Sequence, residues 1–173
     1  GKSGSGKSVL LQRLAKKYNV DFINENFKDQ GFLKEKIEFL ISQDQSLIIL
    51  DEVGMYDYAM LESVRIYSDS ISFVLSSHKK LNILKKEHFK SRLSACFELK
   101  NISLLELDDY IKLKFGMNFS NKCLKFLQKI SQGNLRYIDK TLKSFYEISS
   151  FFDKNKSQEH ILKLSALENG LLR

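Results

Sequence analysis

Proline is absent from this chain of 173 residues, cysteine occurs only as Cys96 and Cys123, and no long apolar run is present. Two thiols far apart in sequence exclude a disulfide framework and a clustered zinc site, and fit a reducing compartment. A membrane-spanning helix needs about eighteen uninterrupted apolar residues, and nothing in the chain approaches that. The opening residues, glycine, lysine and serine, do not resemble a secretory leader. The missing proline accompanies abundant Lys, Ile, Leu, Asn and Phe; we read it as base-composition bias and attach no mechanism to it. These absences predict a cytoplasmic protein; any association with the inner membrane would be peripheral, through a partner.

What is present is an ordinary globular composition, 43% apolar, on a chain long enough for one domain or for a core with a small lid. The formal net charge is +7. It divides at residue 100 into 16 basic against 13 acidic residues, then 12 against 8. The excess is spread along the chain with no basic tail, which permits an anionic partner such as nucleic acid without requiring one.

The strongest signal stands first. Gly1-Lys2-Ser3-Gly4-Ser5-Gly6-Lys7-Ser8 fits G-x-x-x-x-G-K-[ST] at every fixed position. Glycines let the backbone curl so that successive N–H groups point at phosphate oxygens. Lys7 is expected on the β- and γ-phosphates, and the Ser8 hydroxyl on Mg²⁺. Val9, Leu10, Leu11, Leu14 and Tyr18 recur at helical spacing, so a helix should begin here with its positive end toward the phosphates. A Gly/Ser linker with a chance match would not open an amphipathic helix. Such a loop normally follows a strand, so the expectation is that the chain begins inside a longer protein and that its first strand lies before residue 1.

Alternating elements follow. Val20 to Ile23 is a strand candidate and Phe32 to Ile41 a helix. Leu47-Ile48-Ile49-Leu50 reads as a strand buried on both faces. Tyr56 to Tyr67 reads as a helix, Ile71 to Leu75 as a strand, Leu84 to Leu93 as a helix and Cys96 to Leu99 as a last strand. The alternation predicts an α/β fold, a parallel sheet with helices on both faces. Asp51-Glu52 sits at the tip of the apolar strand, where ligands of such sheets bind. Asp51 is expected to hold Mg²⁺, mostly through water, and Glu52 to orient and polarise the attacking water. An acidic turn after a strand is common; its combination with the loop is what points to hydrolysis.

These residues resemble an AAA+ P-loop ATPase, and within that superfamily the bacterial secretion ATPase A (ExeA-like) and origin-recognition groups. Three further segments carry the resemblance. Ile71-Ser72-Phe73-Val74-Leu75-Ser76-Ser77 resembles the sensor-1 strand, His88-Phe89-Lys90-Ser91-Arg92-Leu93 the arginine-finger segment, and Gly133-Asn134-Leu135-Arg136-Tyr137-Ile138 the sensor-2 motif of a helical lid. The resemblance implies that Ser77 or Ser76 senses the γ-phosphate, that Arg92 reaches a neighbouring subunit's ATP, and that Arg136 swings onto the γ-phosphate. Serine after a strand is also an ordinary cap, Arg92 an ordinary surface arginine, and His78 is expected to be a surface or packing residue.

The lid reads as a helix from Leu104 to Phe115 ending near Gly116, a second capped by Ser120 and a third begun at Asn134. Phe151, Phe152 and the tail to Arg173 read as one more short helix after a polar linker at Asp153 to Gln158. Lys122, Lys125 and Lys129 share the outer face of the second helix, either as a solvated stripe or as contacts to a phosphate backbone. The expected divisions are an αβα nucleotide-binding core over 1–100, a helical lid over 101–150 and a helical tail over 151–173.

The expected ligand contacts are Gly1, Lys2, Ser3, Gly4, Ser5, Gly6, Lys7, Ser8 and Val9, with Arg136 from the lid. Ser8 and Asp51 are the metal residues; Glu52, Lys7, Arg92, Arg136 and Ser77 carry catalysis. The expected function is Mg-ATP hydrolysis whose lid motion drives or switches a partner, in a homo-oligomer with DNA or membrane-associated machinery as possible clients. The rivals are a nucleotide-gated switch with little turnover and a small P-loop kinase. The kinase would need an arginine-rich lid, and arginines are few here.

Overall fold

The computed structural model describes residues 3–152 and 157–172; Gly1, Lys2, most of the expected linker (153–156) and Arg173 lie outside the described residues. Two compact units form. Gly6–Leu99 belongs to the first, and Ser3–Ser5 with the chain from Lys100 onward belongs to the second.

The first unit is built on three parallel strands in the order β1-β2-β3: β1 Phe22–Ile23, β2 Leu47–Leu50 and β3 Ser72–Leu75. Phe22 pairs with Ile49 and Ile23 with Leu50, while Leu47 pairs with Ser72 and Leu50 with Leu75. The central strand is apolar throughout because it is covered twice. Ile49 packs with Leu11 and Ala15 of helix α1 (Lys7–Tyr18). Ile48 and Leu50 turn the other way, into a core with Leu33, Ile37 and Leu40 of α2 (Gln30–Ser42) and Met60, Leu61 and Val64 of α3 (Tyr58–Tyr67). Alternate side chains of a strand point to opposite faces, so a strand with helices on both sides must be apolar at consecutive positions. Ile48, Ile49 and Leu50 are fully buried, and each such side chain contributes roughly 1.5–3 kcal/mol.

Local chemistry sets the helix starts. Asp29 accepts from the amides of Gly31 and Phe32, and Asp57 from that of Met60, satisfying first-turn donors that have no partner within their helix. The Asp57 cap starts α3 at Tyr58, two residues after the expected start; Val53–Met55 forms a separate 3-10 turn.

Two expectations fail. The helix expected over Leu84–Leu93 is a 3-10 turn (Asn82–Lys85) and a short α4 (Glu87–Lys90), because Lys86 between them is extended at ψ 140° and interrupts the ladder. The strand expected at Cys96–Leu99 does not form. Those residues have no ladder partner among the described residues and are largely exposed, Phe97 at 87%. Strand geometry without a neighbour leaves its backbone groups unpaired.

The second unit is all-helical: α5 Leu104–Phe115, α6 Asn121–Ser131, α7 Leu135–Ser149 and α8 Gln158–Glu168. Leu107, Ile111, Leu127, Ile138, Leu142 and Leu162 form its buried centre, so α8 contributes to this core. Ser103 and Glu106 close a reciprocal capping box on α5, which ends at Gly116 in the left-handed region (φ 66°). Ser120 caps α6 and Ser157 caps α8 through the Cys123 and His160 amides. Of the lysine stripe on α6, Lys122 is paired with Glu159 at 2.7 Å, and Glu159 also takes Lys163 at 2.9 Å. These two ammonium groups hold the Glu159 carboxyl down at about 2, well below the ordinary range. No helix among the described residues is long and apolar enough to cross a membrane.

Candidate functional site

The end of the loop, from Gly6 to Ser8, and the acidic strand tip meet inside the first unit. Ser8 stands in the first turn of α1, and its hydroxyl donates to Asp51 Oδ2 at 2.5 Å across 43 positions of sequence. The other carboxylate oxygen, Oδ1, accepts the Glu52 amide at 2.9 Å. Asp51 is only 2% exposed, so its charge depends on these donors and on the start of α1, whose dipole favours an anion. Gly6, just before that helix, has φ 87°, a conformation open to glycine, and Lys7 is buried to 9% exposure.

Ser3–Ser5, earlier in the loop, pack within the second unit. The Gly4 carbonyl accepts the Leu135 amide at 2.9 Å. Gly4 has φ 74°, and a Cβ built there would lie 1.9 Å from Asn134 Oδ1. Both facts restrict this position to glycine. Asn134 is itself engaged, its Oδ1 accepting the Arg136 amide at 3.0 Å as the cap of α7. Two positive φ angles precede it, Gln132 at 51° and Gly133 at 74°, and they turn the chain between α6 and α7. The Arg136 side chain is exposed.

The carboxyl ends of the strands carry the remaining chemistry. The Val53 amide donates to the Ser76 carbonyl at 2.9 Å, and the Ser76 amide to the Leu50 carbonyl at 2.9 Å, so the 3-10 turn after β2 is tied to the end of β3. Of the two candidate sensor serines, Ser77 Oγ accepts the Lys79 amide at 3.1 Å, as a turn-capping serine does. Ser76 Oγ is buried without a hydrogen-bond partner among the described residues, as is Ser5 Oγ in the loop. A buried hydroxyl left unsatisfied costs stability unless a ligand or solvent pairs it.

His78, expected as a surface or packing residue, is partly exposed, and its Nδ1 lies 2.8 Å from Glu52 Oε2. Two further groups were not foreseen. The Tyr56 hydroxyl is buried without a hydrogen-bond partner among the described residues, and its pKa is pushed up to about 12 by that burial, then by the negative charges of Glu25 and Asp51. Glu25 therefore acts on the same edge of the sheet, two residues past β1. No motif spacing marks Tyr56 or Glu25; only the rule that ligands sit beyond strand ends draws attention to them.

Arg92 lies elsewhere in this unit. Its guanidinium makes a two-pronged contact with Asp69, Nε to Oδ1 and Nη2 to Oδ2 at 3.0 Å each, and Nη1 donates to the His88 carbonyl at 3.1 Å. The fork lowers the Asp69 pKa.

A hydroxyl and a carboxylate in contact suit Mg²⁺, which takes few protein ligands, keeps several waters and prefers oxygen. No group of three His, Cys, Asp or Glu side chains able to cage a metal occurs among the described residues, and a phosphate-bound Mg²⁺ would not need one.

No protein-family model and no curated protein matches the chain. Solved structures do. A point mutant of RuvB from Thermotoga maritima superposes with a TM-score of 0.75 at 16% identity, over 97% of this chain and 60% of that one. The Thermotoga maritima RuvB Holliday junction branch migration motor superposes with a TM-score of 0.73 at 18% identity, over 97% of this chain and 59% of that one. The fold is therefore that of these RuvB chains, a parallel sheet with helices on both faces followed in sequence by a helical unit. The chain spans about 60% of the length of the RuvB chains it matches. This likeness does not select the secretion or origin-recognition groups.

Proposed function

We propose that this chain binds ATP with Mg²⁺ at the loop ending in Lys7 and Ser8, and hydrolyses it. The observation that carries the reading is the 2.5 Å contact from Ser8 Oγ to Asp51 Oδ2, which joins the phosphate loop to the acidic strand tip. Lys7 neutralises the β- and γ-phosphates, while the loop amides and the α1 N-terminus bind their oxygens. Ser8 and Asp51 would hold Mg²⁺, the carboxylate through water, and the ion would supply charge neutralisation at the phosphates. Glu52 orients the attacking water, Ser76 or Ser77 senses the γ-phosphate, and Arg136 answers to it from the lid, whose motion drives or switches a partner.

The test is Glu52→Gln. This variant should retain ATP affinity and lose most phosphate release, by about 10²-fold or more, the lower end of what general-base catalysis contributes. Wild-type turnover in Glu52→Gln would remove Glu52 from the mechanism.

A second reading, a nucleotide-gated switch with slow turnover by itself, is favoured by the Asp69 fork on Arg92. An arginine serving a neighbouring subunit's ATP would first have to leave Asp69, so hydrolysis would wait on assembly. The likeness to a branch-migration motor supports DNA as the first client to try. Phosphate release with duplex or junction DNA, and separately with anionic vesicles, distinguishes a DNA-driven machine from a membrane-associated one.

A further inference from the structure

We propose that His78 is the positioning residue for Glu52; the inference rests on the ATPase reading above and deepens it. An ionised carboxylate only accepts hydrogen bonds, so the proton in the 2.8 Å contact belongs to His78 Nδ1, which donates to Glu52 Oε2. That leaves Oε1 as the oxygen available to a water. In the step served, the water oxygen bonds to the γ-phosphorus as the bond to the β,γ-bridging oxygen breaks. The water proton passes to Oε1, and Oε2 keeps its bond to His78.

Backbone contacts hold both partners of this pair. Glu52 is in the left-handed region, φ 51° and ψ 33°, a conformation a non-glycine residue keeps only when its surroundings impose it. The Val53 amide on the Ser76 carbonyl fixes the turn beside Glu52 to the residue two before His78. Gly54 closes the gap: a Cβ there would meet Ser77 Oγ at 2.6 Å and His78 Cε1 at 3.7 Å. The side chains themselves are partly open, His78 at 31% and Glu52 at 38% exposure. A flexible glutamate at a half-open site samples several rotamers, at a cost in rate each time it is misplaced. The ring removes that freedom from one oxygen while leaving the other accessible.

The experiment compares His78→Phe, a ring with no donor, and His78→Asn, whose amide donates from a similar distance along the side chain. Glu52→Gln and the Glu52→Gln/His78→Phe double variant complete a cycle. Phosphate release is followed over a range of ATP concentrations. We expect His78→Phe to lose about 10- to 100-fold in kcat, the usual cost of removing a group that orients another. Its KM should stay near wild type. His78→Asn should recover most of the loss, and the double variant should be no slower than Glu52→Gln alone, because His78 acts through Glu52. The inference is overturned if His78→Phe turns over at or above the wild-type rate, if His78→Asn is as slow as His78→Phe, or if the two losses multiply in the double variant. A wild-type protein that binds ATP and releases no phosphate sinks the hydrolase reading, and this inference with it. An active wild type with an equally active His78→Phe sinks this inference alone.

Discussion

Gly4 shows how narrowly single residues are specified in this loop. It combines a positive φ with a carbonyl bonded to the Leu135 amide and an approach to Asn134 too close for any side chain. Gly4→Ala should therefore cost about 1–2 kcal/mol for the left-handed backbone and roughly 1 kcal/mol more as Asn134 is pushed off its capping bond. Urea unfolding measures the loss; an unchanged midpoint would mean the loop relaxes freely around an added methyl group. The loop motif was picked out in the sequence by its spacing and Asp51-Glu52 by the apolar strand before it, and the Ser8 contact with Asp51 brings the two together. The role of His78 was not legible there, since nothing in a serine-serine-histidine run says which carboxylate the ring will meet. Its partner is set by the pairing of β3 with β2, which places residue 78 beside residue 52. Tyr56 was missed for the same reason: its relation to Glu25 and Asp51 exists only in three dimensions.

At the scale of elements, legibility followed local chemistry. Leu47–Leu50 and Leu104–Phe115 form with the expected limits, the first from an unbroken apolar run, the second from Ser103 before it and Gly116 after it. Cys96–Leu99 failed because apolar residues at strand spacing need a neighbouring strand, and the sequence of one segment does not contain its neighbour. Leu84–Leu93 failed because helical spacing of apolar residues says nothing about the extended Lys86. The capping box offers a direct test. Ser103→Ala removes the acceptor for the Glu106 amide and should lower stability by about 1 kcal/mol. The loss should appear as a lower denaturation midpoint with an unchanged slope. No loss would mean that α5 is held by its buried face, Leu107 and Ile111, and not by its cap.

At the scale of the whole molecule, the likeness to RuvB fixes the fold and leaves the partner to experiment. The proposed role of Arg92 belongs to this scale because it requires a second subunit. If Arg92 completes a neighbour's site, phosphate release per subunit should rise with protein concentration in the wild type and stay flat in Arg92→Ala. Asp69→Asn, by loosening the fork, should shift the wild-type rise to lower concentration. Turnover per subunit that is constant over a wide range of concentration would exclude the finger. The account's central claim, however, is nucleotide capture by the loop. Isothermal titration with ATP and Mg²⁺ tests it most directly, on the wild type and on Lys7→Ala. The account predicts saturable heat for the wild type and none for Lys7→Ala at the same concentrations. No heat from the wild type, or equal affinity in the variant, would contradict it.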